Sequence, residues 1–451
     1  MTLAEIFGET STGDDAVARA TSSARVFVRS HMQLALDSET ATGRRLSALE
    51  ALEAFGLPIL ERVVAEGGAG LITDAREPAR TLSERRKTLR LTKRELAQAA
   101  GVGVDEVTAS ETPGELLPIR SLEKLAQALA LDERAIGLAG RPHGDREFGT
   151  RLRELRQADE RDESFVLALA DAAWVIARQS ELSRKLKADR GLAAKFKTKS
   201  GDYSGQIWLR GYELAEQTRD RLGLDAEAPI QSMYSVAQDL LGIPVVDTEL
   251  ANEVAGATVL NGDARGIVLN KIGANRNIFT RRMTLAHELG HLLWDPDNRL
   301  EHVRVDESSD LRRRDNRDMV EARANAFAIA FLAPRAAVRR LYEEHTKDAQ
   351  TTIANMVGEF GISALASAHH LANVCKLGAN DVNKQRTVSA SVAQRWTDNE
   401  RQDNLVTGHV RPSRGNRFAQ LTVQAARKHL ITIDTASSWL RLDKRFLKDL
   451  F

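Results

Sequence analysis

His287 and His291 stand four residues apart, with Glu288 next to the first, inside the segment Arg281-Arg-Met-Thr-Leu-Ala-His-Glu-Leu-Gly-His-Leu-Leu-Trp. That segment predicts a helix, because Met283, Ala286, Leu289 and Leu293 recur at helical spacing and form an apolar face. Thr284, His287, Glu288, His291 and Asp295 form the opposite face. Residues i and i+4 lie one turn apart, so both imidazoles point at a single divalent cation while Glu288 sits beside its open coordination position. The pattern therefore demands an amphipathic helix, buried on a core along one side and presenting a metal site along the other.

A catalytic zinc takes a third protein ligand and keeps its fourth place for water, which Glu288 would deprotonate as the catalytic base. Glu321 is the best donor for the third place. It opens Glu321-Ala-Arg-Ala-Asn-Ala-Phe-Ala, 30 residues after His291, which is enough chain to fold back antiparallel. Asn325 lies at i+4 from Glu321, placed to hydrogen-bond a ligating imidazole from behind. Asp297 and His302 are rival third ligands; Asp297 falls where an extended HExxHxxGxxH/D arrangement puts its ligand, but Trp294 replaces that arrangement's glycine. His369 and His370 are candidate oxyanion donors, weighed against a plain core-edge role. Between the two helices, residues 295–318 hold eight acids and six arginines and read as a charged loop able to act as a lid.

With 451 residues the chain is long enough for about three domains. Its 42% hydrophobic and 28% charged residues place it in the globular range. Cys375 is the only cysteine, which excludes an intrachain disulfide and a cysteine metal cluster and fits a reducing, cytoplasmic setting. The start has no basic and apolar leader pattern, and no run of about 18 apolar residues occurs, so neither secretion nor membrane spanning is expected. Lys+Arg 64 nearly cancels Asp+Glu 63, so any nucleic-acid site must be local.

Five segments are expected: an N-terminal helical segment over 1–79, a small helical module over 80–140, a helical connector over 141–205, a mixed α/β domain over 206–380 and a helical segment over 381–451. Within the fourth, Ile243-Pro-Val-Val-Asp, Val259-Leu and Gly266-Ile-Val-Leu-Asn read as strands. Trp439, Leu440 and Phe446 read as core of the last.

The 80–140 module resembles a Cro/repressor-type (XRE) helix-turn-helix, on the run from Leu82 to Val102, with Thr92 and Glu95 as a capping box and Gly101 at the turn. Seven basic residues against Glu84 in 80–94 suit phosphate contacts, and Arg85, Arg86, Lys87, Arg90, Lys93 and Arg94 are the candidate nucleic-acid-binding residues. Asp105 and Glu106 stand where base-reading residues project, and 95–115 holds five acids with no Lys or Arg, which opposes a phosphate-lined groove. Dimerisation or recognition of a related repressor is the alternative use of such a module.

Gly266-Ile-Val-Leu-Asn, the Arg281–His291 run, Glu321-Ala-Arg-Ala-Asn-Ala-Phe-Ala with Leu332-Ala-Pro, and Gly361-Ile-Ser-Ala-Leu-Ala together resemble the ImmA/IrrE family of zinc metallopeptidases, over about 206–380. The stretch from Arg417 to Leu440 resembles the helical end of longer members. The resemblance implies a gluzincin-like site with His287, His291 and Glu321 as Zn2+ ligands and Glu288 as base, and a helix-turn-helix repressor as the cleaved protein. It also carries a departure: the family often has a second acid two residues after the first, where this chain has Arg323. The expected fold is multi-domain and mainly α: a helix-turn-helix module, an α+β zincin-like metallopeptidase domain and helical flanks. The expected function is that of a transcriptional or stress regulator with a peptidase site and a protein substrate or repressor partner, with DNA and a homodimer left open as partners. The alternative is a non-enzymatic DNA-binding repressor or antitoxin-like protein whose peptidase-like domain senses a ligand or partner.

Overall fold

The computed structural model describes residues 1–72, 74–137, 148–149, 151–152, 163–196, 206–295, 303–307, 319–378, 389–400 and 414–448. It is mainly helical and divides into two compact units, the first made of Met1–Leu186 together with Asp403–Phe451 and the second of Lys187–Gln402. The first unit is thus discontinuous in sequence: the expected segments 1–79 and 80–140 fall within it, whereas the expected connector 141–205 divides between the units after 186 and the expected C-terminal segment 381–451 divides after 402.

The N-terminal segment corrects an expectation, for residues 1–79 are mixed rather than helical. After α1 (Leu3–Phe7) and α2 (Ala16–Ser22) come β1 (Val26–Arg29), β2 (Gln33–Leu36) and β3 (Arg44–Ser47), then α3 (Ala48–Phe55), α4 (Leu57–Glu66) and β4 (Gly68–Gly70). The four strands form an antiparallel sheet in the order β3-β1-β2-β4, with Phe27 opposite both Leu36 and Leu46, and Leu34 opposite Ala69. Phe27, Leu34, Leu46 and Ala69 are buried together on one face. Strands of three or four residues show at most two inward positions, too few to separate a period of two from one of 3.6.

Helices α5 (Ala79–Thr88), α6 (Lys93–Ala100), α7 (Val104–Ser110) and α8 (Ile119–Ala128) follow. Thr92 and Glu95 cap α6 reciprocally, and Gly101 ends it at φ +61°, a left-handed conformation that glycine adopts without a Cβ clash. The core of the unit gathers on α9 (Glu163–Leu186), where Trp174 meets Phe418 and Trp439 edge-on at ring separations of 6.0 and 5.9 Å. Glu133 accepts from both indoles, at 3.0 Å from Trp174 and 2.7 Å from Trp439. Trp439 and Leu440 are therefore core, whereas Phe446 is exposed. Buried Glu50, from the Ser47 capping box of α3, accepts from the Thr432 backbone N–H at 3.0 Å and from the Thr435 hydroxyl, so the tail is stitched to the N-terminal segment.

In the second unit, α10 (Ile207–Leu222) precedes β5 (Val245–Thr248), the hairpin β6 (Val254–Asn261) and β7 (Ala264–Asn270), α11 (Ile278–Trp294), β8 (Val303–Glu307) and α12 (Met319–Leu332). Then come α13 (Arg335–Glu344), α14 (Ala349–Phe360), α15 (Ala364–Cys375) and α16 (Ala390–Asn399). The sheet order is β5-β7-β6-β8, with β5 parallel to β7 and the other pairs antiparallel. Strand β8 lies inside the stretch read from sequence as loop: Val303 and Val305 alternate with Arg304 and Asp306, a period of two hidden by the surrounding charge. Helix α11 packs on the sheet, and α12 packs on both α11 and α10. Both helix contacts are close at a glycine. A Cβ on Gly290 would lie 2.8 Å from the Phe327 ring, and one on Gly211 would lie 2.4 Å from the Arg323 carbonyl.

Candidate metal centre

Asn277 starts α11 by accepting from the backbone N–H groups of Phe279 and Thr280 at 2.9 and 3.3 Å. The Thr284 hydroxyl donates to Asn275 at 2.9 Å, and Asn275 donates in turn to the Ala255 carbonyl of β6 at 2.7 Å, which fixes the helix against the sheet. Two turns on, His287 and His291 are fully buried, with their Nε2 atoms 3.0 Å apart. Glu321 on α12 brings one carboxylate oxygen to 3.2 Å from Nε2 of His287 and the other to 3.6 Å from Nε2 of His291. One ligand atom from each of the three residues lies within 4.8 Å of the others.

The outward nitrogens determine what this cluster can hold. Nδ1 of His287 meets Oδ1 of Asn325 at 3.0 Å, and Nδ1 of His291 meets Oδ2 of Asp295 at 2.8 Å. An amide oxygen and a carboxylate oxygen only accept, so each Nδ1 donates and each Nε2 is the nitrogen that faces inward. A cation placed among two ring nitrogens 3.0 Å apart and a carboxylate would be attracted to all three. Two imidazoles and a carboxylate are a donor set that suits zinc.

Asp295 is the residue that sequence reasoning left without a role, although it stood on the correct helix face. Its other oxygen takes a salt bridge from Arg323, so Arg323, Asp295 and His291 form a line behind the cluster. Arg323, at the position where the sequence departs from the resembled pattern, thus braces Asp295, and burial, with Arg210 nearby, lowers its pKa. Replacing Asp295 by Ala is expected to weaken metal binding by about 10–100-fold, measured by competition with a chromogenic chelator.

Glu288 is fully buried beside β6, where a Cβ at Gly256 would lie 2.7 Å from its Oε1, 3.1 Å from Thr284 Cγ2 and 3.1 Å from the Val268 carbonyl. A shift in the β6–β8 register falls between Val254 and Gly256, the kind of irregularity that re-aims a strand next to a site. Gly256→Val is expected to displace the Glu288 carboxylate while leaving the three ligands in place: metal content stays at wild type and any hydrolytic activity falls.

The rival ligands Asp297 and His302 lie outside the described residues. His370 is buried, with Nε2 donating to the Ala333 carbonyl at 2.8 Å and Nδ1 accepting from the Tyr212 hydroxyl at 2.8 Å. Burial pushes its pKa down to about 4, and both nitrogens are used to tie α15 to α10 and the end of α12, which leaves His370 no donor for an oxyanion. His369 is half-buried.

The fold thus places two histidines, an adjacent glutamate and a third acidic residue from the next helix around one point. Residues 239–372 match the family model of the IrrE N-terminal-like domain, Peptidase_M78. No curated protein matches the chain. The matched span contains every residue of the cluster and its supports: His287, Glu288, His291, Asp295, Glu321, Arg323 and Asn325. The matched span lies wholly within the second unit, and the match points to a metallopeptidase-type domain with a metal ion, a protein substrate and a peptidase-related regulatory function. No helix among the described residues is long and apolar enough to cross a membrane.

The candidate nucleic-acid residues lie in the first unit and face different ways. Arg85 is buried. Arg86 forms a salt bridge with Glu111 at 2.5 Å and donates to the Leu91 carbonyl at 2.6 Å. Lys93 is half-buried and donates to the Thr108 hydroxyl at 3.2 Å, while Lys87, Arg90 and Arg94 are exposed. Glu106, expected among the base readers, caps α7 by accepting from the Gly103 N–H at 2.8 Å and also takes the Ser121 hydroxyl at 2.5 Å.

Proposed function

We propose that the second unit is a zinc peptidase domain that hydrolyses a peptide bond in a regulatory, repressor-type protein. The observation that carries this is the convergence of the two inward-facing Nε2 atoms and the Glu321 carboxylate, with Glu288 one residue from the first histidine. His287, His291 and Glu321 hold the zinc, and Asn325 and Asp295 fix the two imidazole tautomers from behind. When bound, zinc polarises the scissile carbonyl and makes a water molecule acidic near pH 7. Glu288 takes that water's proton on a carboxylate oxygen and returns it to the departing amide nitrogen, so the base ends as it began.

The first unit serves recognition. A repressor-type helix-turn-helix over α5 to α8 is supported by the capped α6, the left-handed turn at Gly101 and the short α7. With Arg85 and Arg86 turned inward, any phosphate contact falls to Lys87, Arg90 and Arg94.

Elemental analysis of wild type, His287→Ala and Glu321→Ala tests the site. One zinc equivalent in wild type, strongly reduced in both variants, is expected. Zinc at full occupancy in Glu321→Ala would move the third ligand elsewhere, and absence of zinc from wild type after reconstitution would remove the peptidase.

A further inference from the structure

The first unit contains a cavity of about 540 Å3 that neither the metal centre nor the helix-turn-helix reading uses. It lies among the end of α6, helix α8, the start of β3 and the tail helix Ile433–Leu440 with the residues after it. Its charged lining is one-sided: Arg44, Arg120, Lys124, Arg441 and Lys444 face Asp434 alone. Part of that charge is matched from around the rim, with Arg44 on Glu123 at 2.5 Å, Arg441 on Asp171 at 2.8 Å and Lys444 on Asp434 at 2.5 Å. Arg120 and Lys124, both exposed, have no carboxylate within ion-pair distance among the described residues. They stand at i and i+4 on α8, side by side on one face.

A second observation lies at the floor. Arg44 is only 3% exposed, and its Nε has no hydrogen-bond partner although its Nη1 is engaged with Glu123. A buried guanidinium N–H without an acceptor is costly unless something brings one. Around it the polar lining adds the side chains of Gln98, Gln127, Ser437 and Ser438, and Ala99, Ala100 and Gly101 keep one wall small. No aromatic ring lines the cavity, and its five basic side chains make it unsuited to an oily ligand. Its size is that of a small-molecule site.

From this charge, this orphaned donor and this volume we infer that the first unit binds a small soluble polyphosphate anion, through Arg120 and Lys124 at the mouth and Arg44 at the floor. Arginine and lysine side chains suit multiply charged phosphate oxygens, because charge-assisted hydrogen bonds are the strong ones and a guanidinium offers two parallel donors. The ligand class comprises inorganic polyphosphates and nucleoside di- or triphosphates, which share the phosphate chain and differ in the organic part. The site is independent of the metal centre, since every residue lining it belongs to the first unit.

Calorimetric titration of the full chain with tripolyphosphate, and separately with ADP and ATP, tests the inference. Both mouth residues are exposed, so Arg120→Ala/Lys124→Ala leaves the fold intact, which thermal unfolding without ligand verifies. Saturable binding of tripolyphosphate, weakened about tenfold or more in that variant and unchanged in Arg184→Ala/Lys428→Ala, at two exposed cations of the first unit outside the cavity, is the expected result. Tighter binding of ATP than of tripolyphosphate identifies a nucleotide site, and equal binding identifies the phosphate chain alone as the ligand. The inference is overturned by absence of binding, by equal loss in the two double variants, which marks general attraction to positive charge, or by a short DNA duplex that binds wild type and loses affinity only in Arg120→Ala/Lys124→Ala.

Discussion

Glu288→Gln is expected to lower peptide-bond hydrolysis by about 10²–10⁴-fold while the bound zinc stays at one equivalent. The substitution keeps the side chain's volume under Gly256 and changes only its ability to take a proton. None of the three ligand atoms belongs to Glu288, so metal affinity has no reason to change. The two measurements must therefore part company, activity falling and metal constant. Parallel loss of both would mean that residue 288 holds the helix in shape rather than moving a proton. Undiminished hydrolysis would assign the base to another group.

Arg282→Met is expected to destabilise the second unit by about 3–5 kcal/mol, read as a fall in its chemical unfolding midpoint. Arg282 lies next to the metal-bearing face on α11 and is almost fully buried. Its guanidinium forms a salt bridge with Glu400 and donates to the carbonyls of Ile230, Gly361, Phe360 and Gln231 at 2.7, 3.2, 3.3 and 3.3 Å. It also stacks 4.1 Å from the centre of the Trp396 ring. Glu400 in turn accepts from the Met233 N–H at 2.9 Å. Methionine replaces the stem and the apolar contact with Trp396, so the loss isolates the buried carboxylate and the four carbonyls left without their donor. A change below about 1 kcal/mol would show that water reaches Glu400 and satisfies it.

The candidate cluster was legible because most of its logic is local. An i, i+4 pair on a helix specifies its own geometry, and Glu321 and Asn325 repeat the same spacing on the next helix. The support behind His291 was only half visible. Asp295 is one turn from His291, but the charge that holds it comes from Arg323 on another helix, and at that position the sequence offered only a mismatch with the family pattern. Basic residues misled in the opposite direction: a run of seven in 80–94 reads as a surface, yet Arg85 is buried and Arg86 is paired with Glu111 from 25 residues away. The N-terminal sheet escaped because its strands are too short to carry a period. The polyphosphate cavity escaped because its walls come from residues as distant in sequence as Arg44 and Lys444.

That distance has a consequence for how the protein is made. The first unit closes only when Thr432, Thr435 and Trp439 reach Glu50 and Glu133, and these follow the whole of the second unit in chain order. The second unit, continuous over Lys187–Gln402, is synthesised complete before that moment. On the ribosome the second unit folds while the first still waits for residues 403–451, with Trp174 and the carboxylates of its core not yet enclosed. A chain stopped after residue 402 keeps the second unit whole and leaves the first without the segment that closes it, so the two units differ in how much of the chain each needs before it can fold.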